Sequence, residues 1–289
     1  KEPIPPGGKG LVAATYNPKN RPGKFNKSIT VTSNAETPTK ILRITGEVQP
    51  RPKTMEDDYP KSMGDLRLKS NHLSFVKIKN TEEKTESIDV INASKTETIK
   101  VEFKDIPKHI TLKCEPATLK PGEKGKITGT YNAKLANDWG FVIDRVQIVV
   151  NENSDPRNRL SVSATIEEDF GQLSEKELAD APNIQFEETT FNFGTLTQGE
   201  SVTHEFKFKN AGKKDLIIRK TKASCGCTAI APITEPIKPG ESSSIKVTFN
   251  SRGKRGKQNK TITVITNDPH DNGRKSSTIL RITGTVNQK

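Results

Sequence analysis

The feature that most constrains this chain is that it repeats itself. Residues 1–34 align without a gap with residues 234–267, at an offset of 233. Glu2-Pro3-Ile4 returns as Glu235-Pro236-Ile237, Pro6-Gly7 as Pro239-Gly240, Asn17 as Asn250 and Gly23-Lys24 as Gly256-Lys257. The string Ile41-Leu42-Arg43-Ile44-Thr45-Gly46 then recurs unchanged as residues 279–284, at an offset of 238, which places five extra residues in the loop around Asp271 to Lys275. A more divergent copy lies between the two. There Asn92-Ala93 matches Asn210-Ala211, Pro121-Gly122 matches Pro239-Gly240 and Tyr131-Asn132 matches Phe249-Asn250, all at an offset of 118. Units of this length are whole domains, each with its own core, so the chain is read as a string of related modules.

The partition that follows is residues 1–52 as the later part of one repeat, 53–60 as a linker, 61–167 as the divergent repeat, 168–184 as a second linker and 185–289 as the last repeat. Because Lys1 aligns with Thr234, deep inside the last repeat, the expectation is that the chain starts part-way through a module and that an export signal lies upstream.

Within the last repeat, apolar residues alternate with polar ones. Val202, His204, Phe206 and Phe208 point one way and Thr203, Glu205, Lys207 and Lys209 the other; Ile245, Val247 and Phe249 repeat the pattern. Period two is the mark of half-buried strands. Turn residues punctuate them at Gly199-Glu200, Asn210-Ala211-Gly212, Pro239-Gly240 and Asn267-Asp268-Pro269. Short strands with polar turns, about 100 residues per unit, predict an all-β chain of tandem immunoglobulin-like antiparallel β-sandwiches. One short helix is expected near 174–180, where Ser174 and Glu177 form a capping box and Pro182 stops the run. The first linker holds three prolines among residues 49–60 and the acids Glu56, Asp57 and Asp58, a composition suited to a semi-extended segment.

Composition removes several function classes. Nowhere do ten apolar residues run together, whereas a spanning helix needs about 20, and mean hydropathy is −0.70, so no membrane-spanning helix is expected. No G-x-S-x-G, H-E-x-x-H, phosphate-loop or EF-hand pattern occurs, and acidic pairs such as Glu167-Glu168 fall in linkers, so no enzyme and no small-molecule substrate are expected. The net charge of +12 is uneven: residues 1–52 carry nine bases against three acids, and residues 185–289 carry 18 against nine. Arg252, Lys254, Arg255 and Lys257 form the densest basic cluster, in a predicted hairpin loop. It lacks the interleaved aromatics that stack nucleic-acid bases, so it is read as a solvated loop or a contact for an acidic partner. A weaker reading uses the basic ends for lipid or glycan. Trp139, the single tryptophan, lies where the middle repeat has about five residues more than the last, and is a candidate anchor for a partner or a side chain folded onto its own sandwich.

In the last repeat Phe191-x-Phe193-Gly194, Phe206-x-Phe208-x-Asn210-x-Gly212, Leu216-x-Ile218, Ser224-Cys225-Gly226-Cys227-Thr228, Ile237-x-Pro239-Gly240 and Thr266-Asn267-Asp268 occur in that order. The set resembles a bacterial, Bacteroidota-type family of immunoglobulin-like domains of unknown function, family 1573, marked by the S-C-G-C-T string. More distantly it is similar to major-sperm-protein-like and ciliary-type immunoglobulin modules. The middle repeat departs from it, having Val76 where the last repeat has Gly194 and lacking the paired cysteines. The resemblance implies an extracytoplasmic protein, periplasmic, outer-membrane associated or secreted, and no established reaction.

Cys225 and Cys227 are the one chemically suggestive pair. They could ligate a soft metal such as copper or zinc, cycle as a strained disulfide, or serve as an inert bridge or buried corner. Two ligands alone leave a metal site incomplete, and none of His72, His109, His204 and His270 has ligand spacing to them. Cys114 is left as an odd thiol. The expected function is a non-catalytic structural or interaction protein of the bacterial envelope, its modules setting spacing and binding other envelope proteins, in part by strand addition at open sheet edges. The alternative is a thiol-redox or copper-handling module centred on Cys225 and Cys227.

Overall fold

The computed structural model describes residues 3–225, 228–231, 233–270 and 276–288. The chain divides into two compact units, residues 1–58 and 59–289. The first unit holds strands β1 (Gly23–Thr32) and β2 (Thr39–Val48), an antiparallel hairpin in register from Gly23 opposite Val48 to Thr32 opposite Thr39, and helix α1 (Met55–Asp58). That single turn stands inside the segment expected to be extended. It is fixed by Asp57, whose carboxylate accepts from the Thr54 amide and pairs with both terminal nitrogens of Arg51, interactions that hold it down to about 2.

The second unit contains two sandwiches. The first is built from β3 (Lys61–Met63), β4 (Leu66–Leu68), β5 (His72–Lys79), β6 (Glu83–Asn92), β7 (Ile99–Lys104), β8 (Ile110–Glu115), β9 (Thr118–Leu119), β10 (Lys124–Asn132), a one-turn helix α2 (Ala133–Ala136), β11 (Gly140–Val150) and β12 (Arg159–Glu167). Its sheets have the orders β3-β4-β6-β10-β8 and β5-β12-β11-β7-β9. After helix α3 (Glu175–Asp180) come β13 (Ile184–Phe186), β14 (Thr190–Thr197), β15 (Ser201–Asn210), β16 (Ile218–Ala223), β17 (Thr228–Ile230), β18 (Ser242–Asn250), β19 (Gly256–Thr266) and β20 (Ser277–Asn287). They form sheets β13-β15-β18-β17 and β14-β20-β19-β16. Among the described residues the pairing in both sandwiches is antiparallel except at one place in each: β5 runs parallel to β12, and β14 parallel to β20.

The cores follow from the alternation. Phe206 and Phe208 on β15, Ile245, Val247 and Phe249 on β18, and Ile262 and Val264 on β19 are buried between the sheets of the last sandwich, while Thr203, Glu205, Lys207 and Lys209 face water. Each fully buried ring or branched side chain contributes about 2 kcal/mol. Helix α3 starts at Ser174 with both arms of the capping box formed, as its sequence requires; α1 and α2 are single turns that the apolar pattern does not reveal.

An aromatic layer recurs in all three repeats. Phe193 of β14 lies on Gly284 of β20 and stacks on Phe249, with ring centroids 5.4 Å apart. In the middle sandwich the corresponding residues are Phe75, Ala164 and Tyr131, with Phe75 and Tyr131 also 5.4 Å apart. A side chain on Gly284 would collide with the Phe193 ring, so the small residue is demanded by the aromatic above it.

Candidate functional site

Most of the motif residues that mark the last repeat are stitches of the fold. Asn210 is fully buried at the end of β15, and its amide donates to the carbonyls of Lys214 and Ile237 (2.8 and 2.9 Å) while its Oδ1 accepts from the backbone of Gly212 and Asn183 (3.0 and 3.3 Å). Its counterpart Asn92 donates in the same way to Glu97 and Leu119 (2.8 and 2.9 Å). Gly212 is required because a Cβ there would strike the Ala181 carbonyl and the backbone of Pro182 and Asn183, where the linker enters the sandwich. Asn267 bridges to Asp215 and Ile217, and buried Asp268 accepts from the Ile184 amide at 2.7 Å and from the His270 ring at 2.9 Å. His270 is therefore held by Asp268 and lies 3.2 Å from the Pro182 carbonyl. His204 stacks flat on Phe191, with centroids 3.9 Å apart, and its Nε2 is 2.9 Å from Glu188 at an angle that forms no hydrogen bond.

The sequence-predicted residues fall in different places. Cys225 is half-buried beyond β16 and disulfide-bonded, with its sulfur 3.7 Å from the Thr228 hydroxyl. Cys227 and the intervening Gly226 lie outside the described residues, as does the loop 271–275. Among the described residues no group of three or more His, Cys, Asp or Glu side chains is placed to hold a metal ion. Cys114 is a free thiol in the core of the middle sandwich, 5% exposed, and burial pushes it up to about 11, which suppresses thiolate chemistry. Arg252, Arg255 and Lys257 are exposed, and Lys254 half-buried, around the turn between β18 and β19; among the described residues they form no ion pair, and the Lys254 carbonyl accepts from Gln198.

Trp139 is not at a free loop tip. It is half-buried where the two sandwiches of the second unit meet, and the Arg219 guanidinium of the last sandwich lies over its ring, 5.0 Å from the centroid. The same guanidinium makes a two-pronged ion pair with Glu168, at 2.7 and 3.0 Å, with the two side chains only 27% and 14% exposed. Around this clasp, Lys220 pairs with Asp138 and Lys222 donates to the Phe141 carbonyl at 2.9 Å while sitting 5.4 Å from its ring. Gly140, at φ +68, lets Ile265 come so close that a Cβ would overlap it. Arg219 reaches the seam because the register of β16 against β19 shifts between Ile218 and Lys220, re-aiming the side chain. The partner groups come from Asp138-Trp139 among the extra residues of the middle repeat, from Phe141 at the start of β11, and from Glu168 just past β12.

Sequence reasoning singled out Trp139 and missed Arg219, Asp138, Lys220 and Lys222, and it set Glu168 aside as a linker acid. A signal existed: the middle repeat, which runs directly into the last one, carries an insertion at Trp139 that the other two repeats lack.

A pocket of about 250 Å³ lies against the seam, with His109, Asp144, Tyr131, Lys220 and Lys222 among its walls. His109 is 3.0 Å from Asp144 and edge-on to Tyr131, whose hydroxyl burial pushes well above its usual range. Of the other polar groups there, Lys220 pairs with Asp138 and Lys222 donates to the Phe141 carbonyl.

A model of the DUF1573 family, described as protein of unknown function, matches residues 1–48 and 184–286, just over half of the chain. No curated protein matches the sequence significantly. Among solved structures, a protein of unknown function from Porphyromonas gingivalis W83 is similar with a TM-score of 0.55 and 17% identity, covering 77% of this chain and 100% of that one. The PapD-like domain 7 of human CEP192 (TM-score 0.31, 14% identity, 42% of this chain and 97% of that one) and the YadV chaperone (0.27, 12%, 75% and 100%) are more remote. The first of these shows a shared fold and nothing further.

Proposed function

This chain belongs to the DUF1573 family, and from that membership and the seam between its sandwiches we propose that it is a non-catalytic scaffold of the bacterial envelope. Its second unit is a stiff two-module spacer, and its loops and open strand edges bind other envelope proteins. The observation that carries the reading is the Trp139–Arg219–Glu168 clasp. Flexible linkage is the default between neighbouring domains with small polar interfaces. Here an inserted segment, a strand irregularity and a two-pronged ion pair are all directed to one joint, and a joint so built serves fixed spacing. The disulfide-bonded state of Cys225 supports an oxidising, extracytoplasmic compartment, since such bonds are rare in reducing ones. No helix among the described residues is long and apolar enough to cross a membrane.

The test is a pair of spin labels on the full chain, one at Lys126 on β10 and one at Lys209 on β15. The spacer reading expects one narrow distance distribution, broadened by the double variant Trp139→Ala/Arg219→Ala while the strand content stays the same. A distribution already broad in the wild type would overturn it.

The disulfide at Cys225 also favours a second reading, that the cysteine pair is a redox couple. Equilibration with glutathione decides it: a bridge that opens at cytosolic ratios would support redox chemistry, and one that stays closed would leave the pair structural.

A further inference from the structure

Outward-facing residues of two sheets, one from each sandwich of the second unit, meet at the seam, and a pocket of about 320 Å³ opens between them beside the clasp. One wall comes from the last sandwich: Lys222 of β16 and Thr263 of β19, which stand in one row across the sheet with Ile279 of β20. Their neighbours Ile262, Val264 and Leu280 belong to the core, so this row faces outward. The opposite wall is the row of Phe141 on β11, Thr165 on β12 and Lys77 on β5, outward for the same reason, since Ala164 and Ile166 lie in the core of the middle sandwich. At the seam Ile265 is only 6% exposed, yet Phe141 remains 50% and Ile279 48% exposed.

Several polar groups of this pocket are uncommitted. Lys222 has no carboxylate within ion-pair distance among the described residues; its ammonium donates to the Phe141 carbonyl and lies over that ring. The cations around it are each paired, Arg219 with Glu168, Lys220 with Asp138, and Lys77 with Glu167 at 2.7 Å. The hydroxyls of Thr165, Thr263 and Ser277 make no hydrogen bond among the described residues. Beside them stand the aromatic side chains of Trp139 and Phe141. A purely apolar ligand would strand the hydroxyls and the Lys222 ammonium, and a bare inorganic anion would leave the rings and Ile265 unused. A pyranose ring matches both, because its C–H face is apolar and its rim carries hydroxyls. The charges on the walls, Lys77 and Lys222 against Glu167, favour a ring that bears a carboxylate. The volume suits a sugar residue and part of its neighbour. Phe141 and Lys222 also wall the 250 Å³ pocket, which gives a longer chain its continuation.

We propose that the seam pocket binds an acidic saccharide, a uronic acid residue within an oligosaccharide. Its ring packs against Phe141 and Trp139, its carboxylate sits on Lys222, and its hydroxyls bond Thr165, Thr263 and Ser277. Both sandwiches supply walls, so a ligand that binds only the docked arrangement adds its own binding free energy to the joint. The proposal goes beyond the scaffold reading by giving the spacer a glycan ligand, and it rests on the seam which that reading describes.

Trp139 is the single tryptophan and lines the pocket, so its emission reports occupancy. The full chain is titrated with the trimer of galacturonic acid and, in parallel, with the neutral trimer of galactose, by emission and by calorimetry. Saturable binding of the acidic trimer is expected, about tenfold tighter than that of the neutral one. Lys222→Gln should erase this preference, and Phe141→Ala, a change at a half-exposed ring, should weaken both trimers about tenfold. Lys207→Gln, on the exposed face of β15, should change neither. No saturable binding of the acidic trimer, equal binding of the neutral one, or binding that Phe141→Ala and Lys222→Gln leave intact overturns the proposal. A polyglutamate peptide that binds as tightly as the acidic trimer overturns it in favour of an acidic-peptide groove. The spin-label distance separates the two claims: a narrow distribution without saccharide binding refutes the pocket alone, and a broad one refutes the seam and the pocket together.

Discussion

Val76 occupies a backbone conformation that the last repeat reserves for glycine. The two parallel strands β5 and β14 each slip in register against their partners, between Ser163 and Thr165 on β12 and between Asn192 and Thr195 on β14. At the slip the chain takes positive φ: +69° at Gly194 and +53° at Val76. A β-branched residue in the left-handed region is strained by about 1–3 kcal/mol. Against that, Val76 is 65% exposed, so removing its side chain forfeits only about 0.5 kcal/mol of burial. Glycine adds about 0.5–1 kcal/mol of unfolded-state entropy. Val76→Gly should therefore stabilise the protein by about 1 kcal/mol, raising the melting temperature by about 3 °C and the urea midpoint correspondingly, with the urea slope unchanged. Val76→Asn should move the same way by less, because asparagine tolerates this region. The reverse substitution, Gly194→Val, should destabilise by about 2 kcal/mol. A lower urea midpoint for Val76→Gly would show that the strain is absent and the reasoning wrong.

Other expectations follow from the same geometry. Asn210→Ala strips four hydrogen bonds from buried backbone and should cost about 3 kcal/mol in urea unfolding, with a similar loss for Asn92→Ala; a loss under about 1 kcal/mol for either would contradict the stitching role. Glu168→Ala leaves Arg219 without its carboxylate at a half-buried seam and should cost about 2 kcal/mol while the isolated strand signatures persist, read by calorimetry. The Cys114 thiol, raised to about 11 by burial, should resist alkylation at pH 8 until denaturant is added. Its folded value lies above the ordinary 9.0, so its contribution is complete below that pH and is lost as pH rises toward 11. Tyr131, displaced in the same direction, adds to this. The melting temperature should fall between pH 8 and pH 10.5, and less steeply in Cys114→Ala.

The sandwiches were legible because strand alternation and turn residues are local signals: β15 buries Phe206 and Phe208 and exposes Lys207 and Lys209 as the pattern demands. Helix α3 was legible through its capping box, which lies within four residues. The single turns α1 and α2 were not, because α1 rests on the Arg51–Asp57 pair and α2 on the Asn132 cap, with no apolar stripe to betray them. The seam was legible only by half. Trp139 stood out as a lone tryptophan in an insertion, but its partners Arg219 and Glu168 sit 80 and 29 residues away, and only the fold brings a strand irregularity and a post-strand acid to one point. The hold of Asp268 on His270 likewise shows only in the fold, where the ring nitrogen comes within 2.9 Å of the carboxylate.

Residual dipolar couplings of the full chain test the central claim most directly, because they report the orientation of every amide in one frame. The clasp at Trp139, Arg219 and Glu168 predicts that amides of β10 and β11 and amides of β18 and β19 fit a single alignment tensor of the same magnitude and axes, and that Trp139→Ala/Arg219→Ala splits it into two. Two different tensors in the wild type would mean that the sandwiches move independently, and the protein would then be a flexible string and not a spacer.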